Sequence, residues 1–147
     1  MTEDRIEREM HIVATPEQVW RVVSLPGWWI NEGELHPEWI RRDGDVGTVD
    51  HPKFGEFRVV VAEERPPEYV RFRWLSRDAD WPVPETTVEF TLTPDRGGVL
   101  VRVVESGFEQ GRPGPRLDEH YRDNCEGWES ELDALRQSVS DAADTRR

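Results

Sequence analysis

A chain of 147 residues with 35% hydrophobic residues and no long polar run fits one domain, large enough to remove about 70% of its unfolded surface from water. Its 31 Asp and Glu against 19 Lys and Arg give a formal charge of -12 spread along the chain, so there is no basic face to neutralise phosphate, which argues against nucleic acid or an anionic membrane as partner. The single Cys125 excludes an internal disulfide, and no His or Cys cluster has metal-ligand spacing; no metal and no cofactor is expected.

The first predicted element is a strand over residues 5–13, with Ile6, Arg8, Met10 and Ile12 on one side. Thr15-Pro16-Glu17-Gln18 then reads as a helix start, in which Thr15 caps, Pro16 loses no bond and Gln18 completes a capping box. That helix should stop before Pro26-Gly27, and Trp28-Trp29-Ile30 form an apolar knot read as a second short helix covering one end of the core. From there to Phe108 the chain reads as five or six antiparallel strands, the clearest being residues 56–64, 69–77, 86–93 and 99–105, divided by Asp-Gly, Pro-Pro, Pro-Val-Pro and Gly-Gly. Residues 116–139 return to a helical period, with Leu117, Tyr121, Cys125, Trp128, Leu132, Leu135 and Val139 on one stripe. Glu126, Glu129, Glu131 and Asp133 fall on the opposite, solvated face, and the tail 140–147 should fray. The domain is therefore placed at 1–139.

This order is α+β, and the simplest way to bury it is a curved antiparallel sheet wrapping the apolar stripe of the last helix. Gly127, inside that helix, costs on the order of 1 kcal/mol relative to Ala, which points to close backbone approach or to room for a ligand.

Ala14-Thr15-Pro16-Glu17-Gln18-Val19-Trp20, Trp28-Trp29, Gly97-Gly98-Val99, Glu105-Ser106-Gly107-Phe108 and Gly127-Trp128-Glu129-Ser130-Glu131-Leu132, in that order, resemble the activator of heat-shock protein 90 ATPase homologue-like family of the START-like superfamily. The resemblance implies a helix-grip fold, with two short helices after strand 1 and an internal cavity of the kind that elsewhere in the superfamily takes lipids, sterols, hormones and polyketides. It implies no single activity and carries no catalytic motif. Where the resemblance leads one to expect Thr, this chain has Val99.

Strand alternation puts Val70, Phe72 and Trp74, then Val88, Phe90 and Leu92, on the inner face. Val99, Val101 and Val103 share parity with Glu105, so without a bulge a carboxylate points into an apolar interior, where its charged form is disfavoured. The ligand-contact residues expected are Phe72, Trp74, Phe90, Val103, Tyr121 and Trp128 as walls, with Glu105 as polar anchor. Glu105 is also the one candidate for a catalytic role. Seven tryptophans suit a flat or hydrophobic ligand, although most should be plain core; Trp81 is expected at a hairpin tip. His11, His36, His51 and His120 are scattered surface or strand residues, and Asp50 and His51, adjacent in a strand, point to opposite faces. Cys125 reads as an unreactive core thiol.

The first functional reading is therefore binding of a small hydrophobic or aromatic, lipid- or polyketide-like molecule between sheet and helix. The second is a cyclase, dehydratase or hydrolase in which Glu105 moves a proton. The third, implied only by the resemblance, is a co-chaperone-like regulator of heat-shock protein 90. The charged N-terminus and the absence of about eighteen consecutive apolar residues suggest a cytoplasmic monomer or homodimer with no membrane insertion.

Overall fold

The computed structural model describes residues 4–75, 85–108 and 114–145, the last five in backbone only. Strand β1 (Arg5–Ile12) leads through Thr15 into helix α1 (Pro16–Val23). Thr15 Oγ1 accepts the Gln18 backbone N–H at 3.1 Å, and Gln18 Oε1 accepts that of Thr15 at 2.9 Å, so the expected capping box is present. Val19 and Val23 are the face α1 buries.

Gly27, with φ of +86°, turns the chain after α1. Residues 28–30, read from the sequence as a second short helix, form successive turns instead, closed by the Ile30 N–H to the Gly27 carbonyl at 3.0 Å. The second helical piece is a single 3₁₀ turn at Pro37–Trp39.

Six more strands follow: β2 (Ile40–Asp43), β3 (Val46–His51), β4 (Gly55–Arg65), β5 (Tyr69–Trp74), β6 (Thr86–Asp95) and β7 (Gly98–Ser106). All pairs are antiparallel in the order β1-β7-β6-β5-β4-β3-β2, so the chain's first strand lies beside its last. A register shift between Val61 and Glu63 bends β4 against β5, the usual device for curling such a sheet. Helix α2 (Pro115–Thr145) packs against the concave face; its backbone runs to Thr145, past the expected end at Val139. None of the described helices is long and apolar enough to cross a membrane.

The concave face holds the core: Ile6, Ile12, Val59, Val70, Phe72, Val88, Phe90, Leu92, Val99, Val101 and Val103, all buried, against Leu132, Leu135 and Val139 of α2. The convex face carries much of the charge as cross-strand pairs, among them Arg102 to Glu7 at 2.5 Å and Arg73 to Glu85 at 2.8 Å. Such exposed pairs each contribute at most about 1 kcal/mol, so the sheet is held by its other face.

The β6–β7 hairpin turns on Arg96 and Gly97, both at positive φ, as a two-residue connection of this hand requires. Gly98 follows under the β1 backbone, where an added methyl would lie 2.3 Å from the Ile12 carbonyl oxygen. Gly98→Ala should therefore lower the unfolding free energy by about 1–3 kcal/mol in urea denaturation. An unchanged midpoint would mean that β1 is free to move away from β7.

Candidate functional site

Period-two alternation through β7 carries Glu105 to the inner face with Val99, Val101 and Val103, and the carboxylate is fully buried. It sits opposite Val88 on β6 and Ile6 on β1. Thr86, two residues before Val88 and on the same face, donates its hydroxyl to Oε2 at 2.6 Å. From α2, Asn124 Nδ2 and Trp128 Nε1 each donate to Oε1 at 2.9 Å; the two residues are four apart and so one turn from each other. Burial raises the Glu105 pKa, opposed by the hydrogen bonds from Thr86, Trp128 and Asn124. One carboxyl group thus ties β6, β7 and α2 together.

The space beside this knot is packed with rings. Trp29, from the turn after α1, lies in the middle of the grip, its centroid 5.3 Å from Phe72, 5.7 Å from Phe90, 5.7 Å from Trp128 and 5.8 Å from Trp74. Trp28 stands edge-on to it at 6.0 Å and lies 5.4 Å from Phe90. The Trp28-Trp29 knot, expected at one end of the core, is therefore inserted between sheet and helix. Of the walls expected from the sequence, Phe72, Phe90 and Trp128 are buried in this cluster and Trp74 is half-buried at its edge. Val103 is buried behind it on β7, paired with Phe90. Tyr121 is not brought to the cluster: it packs edge-on to Phe108 at 5.1 Å and donates its hydroxyl to the Arg5 carbonyl at 3.0 Å.

One flank of α2 is more polar than the heptad-like stripe suggests. His120, Asn124, Gly127 and Glu131, spaced by four, three and four, form a row beside Trp128. Glu131 was expected on the solvated face, yet it is 9% exposed and accepts Asn31 Nδ2 at 2.9 Å. The same Asn31 amide reaches the Trp28 carbonyl at 3.0 Å, so the link fastens the tryptophan turn to α2. Burial pushes the Glu131 carboxyl up to about 7, against the lowering effect of Asn31. His120 is half-buried beside Phe108, and burial lowers its pKa, so it is mostly neutral at pH 7. A methyl built on Gly127 meets nothing within 4 Å, so the close backbone approach read from the sequence is not found there.

The other histidines lie elsewhere. Asp50 pairs outward with Arg41 at 2.7 Å while His51, its neighbour in β3, is buried on the inner side, as alternation requires. His11 Nε2 is 2.7 Å from the Asp95 carbonyl oxygen, and His36 stacks on Trp39. Cys125 is partly buried against the core. No group of His, Cys, Asp and Glu among the described residues could hold a metal. Trp81 lies outside the described residues.

Sequence reasoning missed Thr86, Asn124, Asn31 and Glu131. Thr86 was within reach of it, having the parity of Val88; the others depend on how α2 is rotated against the sheet.

Compared with known proteins, residues 13–140 match the family model described as Activator of Hsp90 ATPase homolog 1-like protein. Protein MLL2253 from Mesorhizobium loti is similar in structure at a TM-score of 0.71 and 22% identity, over 94% of this chain and 97% of that one. The Aha1 dimer from Colwellia psychrerythraea is similar at 0.66 and 19% identity, over 93% and 96%. DynU16, a protein of the dynemicin biosynthetic locus, is similar at 0.67 and 22% identity, over 94% of this chain and 48% of its own length. At these identities the likeness is one of fold. No curated protein matches the chain.

Proposed function

The chain belongs to the Activator of Hsp90 ATPase homolog 1-like family, and on that premise we propose that it binds a small hydrophobic or aromatic molecule between the curved sheet and α2. The ligand lies against Trp29 and Trp74, on the flank of α2 that carries Gly127. The observation that supports this most is Gly127 itself. A glycine inside a helix costs about 1 kcal/mol relative to Ala, and nothing near this one uses the space that its missing side chain leaves. Next to it stands Trp128, held by Glu105. The partly exposed Trp74 supplies an apolar edge on the sheet side. The polar groups in the row of Gly127 include Asn124 and Glu131, each already hydrogen-bonded, and an aromatic wall with a few placed polar groups is the usual composition of a site for a flat apolar ligand.

In this reading Glu105 acts through Trp128, whose indole it fixes, because its carboxylate already receives three donors. A proton-transfer role would require it to exchange one of them for substrate, so binding is the better supported function.

The test is titration of intrinsic tryptophan fluorescence with flat aromatic, sterol and fatty-acid compounds, on wild-type protein and on Gly127→Ala, Gly127→Leu and Trp74→Phe. Saturable quenching is expected in the wild type, weakened by Trp74→Phe and abolished by Gly127→Leu. Gly127→Ala should fold and gain about 0.5–1 kcal/mol of stability, which separates a blocked site from a damaged helix. Absence of any saturable response, or undiminished binding to Gly127→Leu, would overturn the proposal.

A further inference from the structure

The polar groups around the proposed site differ in what they still offer. Glu105 receives three donors; Thr86, Asn124 and Trp128 spend theirs on it. Glu131 accepts from Asn31, whose amide also reaches the Trp28 carbonyl. Among the described residues, the fully buried side-chain polar atoms without a hydrogen-bonding partner are the indole N–H of Trp29, that of Trp28, and His51 Nε2, which lies apart from these rings against Trp39 and Phe54. A buried donor without an acceptor is costly, and native interiors rarely leave one so unless it serves a purpose. The two indoles differ in place. Trp28 touches Trp29 and Phe90, deep in the core, whereas Trp29 touches both Trp74, at the partly exposed edge, and Trp128, beside Gly127.

We propose that the Trp29 indole N–H is the specificity group of the site, and that the ligand is a neutral, flat, conjugated molecule that offers it a carbonyl oxygen. This rests on the binding site proposed above. A ligand that only donates, such as an ammonium, leaves this N–H unsatisfied. A carboxylate would accept the bond but meets a chain of net charge -12 and loses its hydration among buried rings. A hydrocarbon of the same shape gains the ring contacts and leaves the N–H unsatisfied. A neutral ketone gains both, and its flat body suits the tilted and edge-on rings around Trp29.

Fluorene and 9-fluorenone, which differ by one carbonyl, test this directly. Protein labelled with ¹⁵N in its tryptophan indoles is titrated with each and followed by proton–nitrogen correlation spectra, the Trp29 signal being assigned from Trp29→Phe. Fluorenone is expected to bind about tenfold more tightly than fluorene, the ratio that one neutral hydrogen bond supplies. Its binding should shift the Trp29 indole proton downfield, whereas fluorene leaves it in place. Trp29→Phe keeps a ring and loses the donor, so it should bring fluorenone down to the affinity of fluorene. Equal affinities with an unmoved Trp29 signal would overturn the inference while leaving the site intact. If neither compound binds and Gly127→Leu matches wild type against the whole panel, the site fails and the inference fails with it.

Discussion

Glu105→Ala should lower the unfolding free energy by about 3–5 kcal/mol, because it both opens a cavity and strands donors from Thr86, Asn124 and Trp128 in the interior. Glu105→Gln should lose much less, about 1–2 kcal/mol. A glutamine carbonyl can still accept from Asn124 and Trp128, and its amide can donate to the Thr86 hydroxyl, which turns round to accept. Burial raises the Glu105 pKa, favouring the neutral acid that glutamine imitates. Urea denaturation of the two variants, with the slope checked for constancy, measures both. If Glu105→Ala fell within 1 kcal/mol of wild type, the three donors would have to find other acceptors, and the carboxylate would not be the knot between sheet and helix. The contrast between Ala and Gln separates the charge, which both remove, from the volume and the acceptors, which only Ala removes.

How much of this was readable in the sequence depends on the range of the interaction. The capping box at Thr15 and Gln18 is local chemistry, complete within four residues, and it formed as written. The inward direction of Glu105 needed only the period of a strand without a bulge, and β7 pairs without a break from Gly98 to Ser106 against β6 and from Val99 to Ser106 against β1. The stripe on α2 likewise predicted which of its residues meet the sheet. Trp29 was different. Its apolar character was plain, but its depth is decided by a turn at positive φ on Gly27, whose Cα lies so close to Val49 and Val59 that a methyl there would clash with Val49. The partners of Glu105 on α2 required the rotation of a helix about 20 residues further along the chain, which no local pattern contains. Glu131 lies at the margin between the apolar stripe and the solvated face, and the margin was resolved by Asn31, 100 residues earlier.

That same Glu131 makes folding depend on pH in a direction opposite to the usual acid denaturation. Its carboxyl is pushed from 4.5 up to about 7 in the folded protein, so between those values the native state holds a proton that the unfolded chain has lost. Stability then falls as pH rises, since the slope of unfolding free energy with pH takes the sign of unfolded minus native protons. The contribution is fully present below about pH 4.5, is lost on the way to about pH 7, and is flat above it. Over the whole window it amounts to at most about 3 kcal/mol. Glu131→Gln keeps an acceptor for Asn31 and removes the titration. The variant should match wild type near pH 4 and exceed it at pH 8 by up to that amount. Glu105, whose pKa burial also raises, contributes a slope of the same sign, but it is common to both proteins and cancels in their difference. A difference that does not change with pH would show that the Glu131 carboxylate reaches water in the folded state. If the predicted divergence is found, the stability lost towards pH 8 is the desolvation of the Glu131 carboxylate and not the Asn31 bond, which is stronger to the charged form.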